Sequence, residues 1–226
     1  MKYFPQAALL ALLASPAVAQ TKLSPKLDLR LKHELDSIYE VDQRYRTMMF
    51  DPRIKRNPDS LAAKLGVTKA ELGNTLFQRL MQTDYTNLVR TQAILKQYGY
   101  PGKSLVGVPT NEAAWNVIQH ATTTTTIPLY LPMMKVAAEK GELPFDRYAT
   151  MLDRQLMFDG KEQVYGTQVR NLNGQASFVW PIQNPAQVNE RRKQAGFKTT
   201  VEKNAAALGT TYRVMTLEEV AKMPKQ

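Results

Sequence analysis

A dense group of hydrogen-bonding side chains follows an Asp-Arg pair in the second half of the chain. Asp153-Arg154 precedes the segment from Gln163 to Gln168 (QVYGTQ), in a region that otherwise has a helical pattern. The segment has too little apolar surface for an ordinary core element. Its glycine permits close approach of a ligand or of a neighbouring backbone. We interpret this group as part of a polar site.

Histidine is the side-chain type whose charge changes nearest to neutral pH, so His120 is the candidate general acid or base of this site. Ala113, Val117 and His120 recur at i, i+4 and i+7, which places His120 on a packed helical face. Asp42 or Asp153 is expected to orient the imidazole. A lone histidine on a packed face is also often a satisfied core residue, and that alternative stays open.

Two carboxylates interrupt apolar stripes on two predicted helices. Asp84 occupies the position between Leu80 and Leu88. Asp42 lies in the stripe of the first helix, which consists of Leu31, Leu35, Ile38, Asp42, Tyr45 and Met49. Arg46 is four residues beyond Asp42 and within its reach, so a structural Asp–Arg pair is the competing interpretation. A buried charge needs partners in either case.

Further polar residues are candidates for substrate binding. Arg46 and Arg154 could hold a carboxylate or a phosphate through bidentate hydrogen bonds. In a strand, Gln163, Tyr165 and Thr167 share one face and Gln168 faces the other way. The predicted substrate-binding set is therefore Arg46, Arg154, Gln163, Tyr165, Thr167 and Gln168. The alternative is a buried polar network that fixes how the helices and the hairpin dock.

Other kinds of chemistry have little support in the sequence. The chain has two histidines and no cysteine, whereas tight zinc sites normally use several such ligands. A hard-cation site built from Asp42, Asp84 and Asp153 is not required by their spacing. There is no G-x-S-x-G nucleophile elbow and no phosphate-binding glycine loop. We predict no metal and no cofactor.

The elements that position these residues are mostly helices. Helices are predicted around Leu31–Met49, from Thr68 to near Gly99, and from Thr110 to about Ala121. Others are predicted over Ile127–Lys140, from Pro144 to Phe158, from Asn184-Pro185 to Gly196, and from Thr216. Two short strands, Gln163–Val169 and Ala176–Trp180, are predicted to flank a turn at Asn171–Gly174. The expected fold class is mainly α, a single compact helical domain with a small antiparallel β-hairpin.

The first 19 residues have the features of a signal peptide. Lys2 precedes a short apolar run, Ala7–Ala14, and Ala17-Val18-Ala19 is a small-x-small cleavage signal. The run is too short for a bilayer-spanning helix. We therefore predict a periplasmic or secreted protein that comprises residues 20–226 as one domain. An uncleaved membrane anchor is the alternative.

The formal charge of +10 is spread along the chain. A nucleic-acid binder usually concentrates basic residues on one face with interleaved aromatics, so we predict no nucleic-acid partner. Attraction to an anionic envelope polymer or an acidic partner is the sharper alternative to a merely solvated basic surface. The expected ligand is an unknown small molecule or envelope component, and the sequence does not determine the oligomeric state.

The polar motifs occur in an order that resembles a bacterial family catalogued as a domain of unknown function. These motifs are Asp42-Gln43-x-x-Arg46, Asp84-x-x-Asn87, Gly99-Tyr100-Pro101 with Val106-Gly107, Trp115-x-x-x-Gln119-His120-Ala121, Asp153-Arg154, Gln163-x-Tyr165-Gly166-Thr167-Gln168 and Val188-x-x-x-Arg192. The resemblance covers residues 30 to 200. Tyr100 stands where the family pattern has Trp, and a threonine run after Ala121 replaces an acidic segment. The resemblance implies that these polar positions belong to one pattern.

Two functions from different classes follow. The first is an exported hydrolase or lyase that acts on an envelope or extracellular substrate. In that enzyme His120 is the acid or base, Asp42 or Asp153 orients it, and the arginines with Tyr165 and Gln168 hold substrate. The second is a non-catalytic ligand-binding or protein-interaction domain, in which the polar cluster is structural.

Overall fold

The computed structural model describes residues 26–52, 56–121, 125–171 and 176–223. The predicted signal peptide lies outside these residues, as do most of the threonine run after Ala121 and most of the predicted turn after Asn171.

The described part of the chain is helical with one two-stranded antiparallel sheet, so the mainly α prediction is confirmed. The elements are α1 (Leu29–Phe50), α2 (Pro58–Leu65), α3 (Lys69–Tyr98), α4 (Lys103–Val106), α5 (Ala113–His120), α6 (Thr126–Glu139), α7 (Phe145–Phe158), β1 (Val169–Arg170), β2 (Phe178–Val179), α8 (Val188–Gln194), α9 (Val201–Ala207) and α10 (Leu217–Ala221). Short 3-10 turns, Thr110–Glu112 and Pro185–Gln187, precede α5 and α8.

Local capping residues set the ends of the long helices. The Asp28 carboxylate accepts a hydrogen bond from the Leu31 N–H at the start of α1. Thr68 and Glu71 form a capping box at the start of α3, as the sequence predicts. That helix ends at Gly99, whose φ of +69° favours glycine.

The helices pack so that α5 lies between two layers. α1 packs along α3 and against α5, and α6 packs along α7. One face of α5 is buried with α1 and α3 through Val117, which packs with Leu35 and Ile94. Its other face joins the core of α6 and α7 through Ile118. The last residues of α5 therefore lie where α1 and the α7 layer approach each other.

The predicted hairpin is much shorter than expected. Val169 pairs with Val179 and Arg170 with Phe178, and each strand has two residues. The segment Gln163–Gln168 is not a strand, because N–H groups that a strand would present to a ladder donate to the Asp153 carboxylate instead. The prediction of strands over Gln163–Val169 and Ala176–Trp180 is wrong in length for this reason.

In the described part of the chain, three short helices were not predicted, namely α2, α4 and α9. α2 forms because Leu61 and Ala62 pack against Leu72 and Leu76. Asn184 was expected to cap the next helix, but its side chain makes no capping hydrogen bond and its φ is +43°. Short helices depend on tertiary packing more than on local sequence pattern.

Candidate functional site

His120 and Asp42 are in direct contact where α5 crosses α1. Nδ1 of His120 lies 3.1 Å from Oδ1 of Asp42. A carboxylate only accepts hydrogen bonds, so Nδ1 carries the proton that joins them. In the neutral ring Nε2 is then the acceptor, and the Gln119 amide nitrogen lies 3.4 Å from it. The Asp42 side chain is 1% exposed and that of His120 is 22% exposed. The imidazole therefore contacts a buried carboxylate and is itself partly accessible to solvent.

Asp42 is held by further donors on its other side. The Gln43 amide donates to Oδ2 of Asp42 over 2.7 Å. Nη1 of Arg46 donates to the Asp42 carbonyl oxygen at 2.7 Å and to Oδ1 at 3.2 Å. Nη2 of Arg46 donates to Oδ2 of Asp84 at 2.7 Å. Arg46 therefore bridges the carboxylates of two helices, and the sequence-predicted Asp42–Arg46 pair is present.

Asp84 is the less satisfied of these two carboxylates. Its Oδ1 atom is buried and has no hydrogen-bond partner among the described residues. Burial raises the pKa of Asp84, and the adjacent Arg46 only partly opposes that shift.

Arg154 and Gln168 continue the network on the other side of α5. Nη1 of Arg154 donates to the Gln119 carbonyl oxygen at 2.6 Å. Nε of Arg154 donates to Oε1 of Gln168 at 3.2 Å. The Gln168 amide in turn donates to Oγ1 of Thr167 at 2.9 Å. The network thus links α1, α5, α7 and the segment before β1, with Gln119 between His120 and Arg154.

Asp153 lies in a different setting from Asp42. Its carboxylate accepts from the N–H groups of Val164, Tyr165 and Thr167, at distances of 2.7 to 3.1 Å, and from Oγ1 of Thr167 at 3.0 Å. Burial raises the pKa of Asp153, and these donors oppose the shift. The chain turns around the carboxylate at Gly166, whose φ is +67°. Of the two carboxylates considered as partner of His120, Asp42 makes the contact and Asp153 does not.

Gln163 was predicted to bind substrate, but its position is unsuited to that role. The residue is fully buried, at 0% exposure. Its amide nitrogen donates to the carbonyl oxygens of Gln168 and Trp180, and its Oε1 accepts from the Gln168 N–H. These bonds close the segment on itself and tie it to Trp180, the residue after β2, so Gln163 is a structural residue in this conformation.

Tyr165 also departs from the expected arrangement. The predicted shared face of Gln163, Tyr165 and Thr167 does not exist, because the segment is not extended. The Tyr165 ring packs 6.0 Å from the Phe197 ring, measured between centroids. It lines a surface depression with Phe145 and Arg191, whereas Thr167 faces Asp153.

Gln119 and Arg192, which the sequence analysis named only as members of the family motifs, hold the network and the Tyr165 segment in place. Gln119 contacts both His120 and Arg154, and its position directly before His120 was the available signal. Arg192 is 1% exposed, donates to the Tyr165 and Thr199 carbonyl oxygens, and lies 4.4 Å from the Phe197 ring centroid. Its basic Arg-Arg-Lys context gave no indication of burial.

A cavity of about 260 Å³ lies beside α1, α5 and α7. Tyr39 of α1, Asn116 of α5 and Arg147 of α7 are among its lining residues. Asn116 lies one turn before His120, and its Oδ1 is 3.5 Å from the Gln119 amide nitrogen. Asn116 is therefore the lining residue through which the cavity borders the polar network.

Within the described residues, no group of three or more His, Asp or Glu side chains is arranged to hold a metal ion. Among the helices that the structure describes, none combines the length and apolar character needed to cross a bilayer. The arrangement around His120 is suited to proton transfer and to polar recognition.

Comparison with family models assigns the sequence to a family. The model of a family of unknown function (DUF6624) matches residues 30–215. Since this range is most of the chain, the protein belongs to that family. No curated protein and no solved structure matches the chain.

Proposed function

We propose that the chain is an exported enzyme that uses acid–base catalysis, a hydrolase or lyase acting on an envelope or extracellular substrate. The observation that carries this proposal is the 3.1 Å contact between the buried Asp42 carboxylate and Nδ1 of the partly exposed His120. A histidine base whose ring is oriented by a neighbouring carboxylate is a recurring feature of proton-transfer sites.

In this proposal each of the two imidazole nitrogens has a role. Nδ1–H donates to Asp42, which fixes the ring and stabilises the imidazolium that forms when Nε2 takes a proton. In a hydrolase that proton comes from the attacking water, and in a lyase it comes from the substrate. The imidazolium then returns the proton to the leaving group. Arg46 supports the arrangement because it holds Asp42 in place.

The alternative function is a binding domain without chemistry, and one part of the network favours a structural role. Asp153 and Gln163 are buried and bonded mostly to backbone groups, as in a network that fixes docking. The proposal therefore assigns chemistry to the His120 side of the network and architecture to the Asp153 side.

The test is substrate turnover with matched histidine variants. Wild type, His120→Gln and His33→Gln are incubated with extracts of envelope and culture medium, and mass spectrometry follows loss of substrates and gain of products. His33 is exposed on α1, so His33→Gln controls for loss of a histidine elsewhere. We expect turnover by wild type and His33→Gln, and a loss of at least 100-fold in folded His120→Gln. Undiminished turnover in His120→Gln contradicts the acid–base role, and retained binding without turnover in any variant favours the binding domain.

Export is tested separately on the N-terminus. The signal-peptide pattern predicts a mature chain that begins at Gln20. Mass spectrometry of the N-terminal peptide from envelope and medium fractions should find it. An intact Met1 or Lys2 terminus in a membrane fraction instead indicates an uncleaved anchor.

A further inference from the structure

Arg154 has unused hydrogen-bonding capacity next to the His120 site. A guanidinium has five N–H groups. Arg154 donates one from Nε to Gln168 and one from Nη1 to the Gln119 carbonyl oxygen. The remaining three, one on Nη1 and two on Nη2, have no partner among the described residues. They form the end of the guanidinium that binds a carboxylate in a bidentate way.

The charge of Arg154 is also uncompensated within the described residues. Arg46 is paired with Asp84 at 2.7 Å and Arg147 with Glu112 at 2.6 Å. No described carboxylate lies within 4.0 Å of Arg154, which is only partly exposed. Burial lowers the pKa of Arg154, with no neighbouring carboxylate to counter the shift. Partly buried cations are normally paired, so this one has the character of a ligand site.

The position of Arg154 connects it to the proton-transfer group. Gln119 contacts both residues, since its carbonyl oxygen accepts from Arg154 while its amide nitrogen lies 3.4 Å from Nε2 of His120. Arg154 and His120 are therefore separated by one residue, which the first contacts through its main chain and the second through its side chain. The positive formal charge of the whole chain adds long-range attraction for anions.

We propose that the substrate carries a carboxylate, which Arg154 binds while His120 acts on a neighbouring bond. The action of His120 on the bound substrate rests on the proposed function, whereas the binding of a carboxylate by Arg154 does not. One cation matches the single charge of a carboxylate better than the −1.5 to −2, approximately, of a phosphate monoester at neutral pH. The flanking Gln119 and Gln168 are neutral and add no positive charge, which also favours a carboxylate over a phosphate.

A purely structural role for Arg154 makes a different prediction. Nη1 donates to a carbonyl in the last turn of α5, and a basic side chain at that place stabilises a helix end. That role uses one N–H group and needs no anion. Loss of stability in an Arg154 variant is thus expected under both accounts, and only the response to anions separates them.

The test uses acetate as the probe, with acetamide as its uncharged analogue and inorganic phosphate as the alternative anion. Titrations at constant pH and ionic strength follow the Arg154 side-chain N–H and the His120 ring signals by NMR. We expect a saturable acetate response in wild type and none with acetamide. Followed at the His120 ring, the response should weaken at least tenfold in Arg154→Gln and less in Arg154→Lys, which keeps the charge. Arg44→Gln removes an exposed arginine paired with Glu40 and should keep the full response.

Several outcomes overturn the proposal. Equal responses to acetate and acetamide, or no response in wild type, exclude a carboxylate site, and this comparison needs no variant. Binding of phosphate without binding of acetate shows that Arg154 belongs to a phosphate site and contradicts the carboxylate proposal. His120→Gln should keep the acetate response at Arg154 while losing turnover. An intact acetate site in a protein whose turnover is unaffected by His120→Gln therefore contradicts the proposed function alone.

Discussion

Nδ1 of His120 lies 3.1 Å from Oδ1 of Asp42, although the two residues are 78 positions apart in the chain. The contact joins the end of α5 to the middle of α1. The carboxylate is buried and the imidazole is partly exposed. The pair is also held by Arg46, which reaches a second carboxylate, Asp84.

The first prediction concerns the tautomer of His120. Because Asp42 only accepts, the neutral ring should carry its proton on Nδ1. Ring ¹⁵N shifts measured by long-range ¹H–¹⁵N correlation should show an Nδ1–H tautomer in wild type. In Asp42→Asn, whose amide can donate or accept, His120 should lose that preference. The His33 signals of the same variant should be unchanged. A dominant Nε2–H tautomer in wild type contradicts the geometry.

The second prediction is a pH dependence of stability that comes from Asp84. Burial raises its folded-state pKa above 3.8, so between that value and the raised pKa the folded state holds more protons than the unfolded state. The contribution of Asp84 to stability therefore falls as pH rises through this interval. Denaturant unfolding of wild type and Asp84→Asn at several pH values should show wild type losing stability relative to the variant as pH rises. A difference that does not change with pH contradicts the raised pKa.

The third prediction concerns the tight packing at Gly166. A Cβ there would lie 2.6 Å from Cγ2 of Val201 and 2.7 Å from Cδ1 of Ile182. Gly166→Ala should destabilise the protein by about 2 to 4 kcal/mol, the sum of overpacking and strain at positive φ.

Gly160 is a matched control for that variant. Its φ is +69°, close to the +67° of Gly166, but a Cβ there would meet no atom within 4 Å. Gly160→Ala should therefore cost only about 1 kcal/mol, the backbone strain alone. Thermal or urea unfolding of the two variants measures the difference, and equal losses contradict the packing argument.

The fourth prediction concerns the carboxylate inside the Val164–Thr167 turn. In Asp153→Asn one oxygen becomes an amide nitrogen, which cannot accept from the donors around it. We expect a loss of about 2 to 3 kcal/mol, because a buried donor is left without a partner.

Asp59→Asn serves as the reference for loss of a carboxylate. Asp59 is an exposed residue on α2 with a side chain 68% accessible, so the change should stay within about 0.5 kcal/mol. Urea unfolding compares the two variants. An Asp153→Asn protein as stable as the reference contradicts the structural role of Asp153.

The sequence by itself determined the helical class and the main helices of this protein. Capping boxes and apolar stripes act between residues three or four apart, so Thr68 and Glu71 could be recognised without any tertiary information. The same periodicity placed His120 toward the packed side of its helix. It also identified Asp42 and Asp84 as carboxylates that need partners.

Only the tertiary structure decided which partners these groups have. Asp42 rather than Asp153 contacts His120, because α5 packs across α1 while the turn after α7 closes around Asp153. That turn also explains why Gln163–Gln168 is not a strand, since Asp153 takes the N–H groups that a ladder would need. The unpaired charge of Arg154 is likewise invisible in the sequence. Such pairings join residues far apart in the chain, and local spacing carries no information about them.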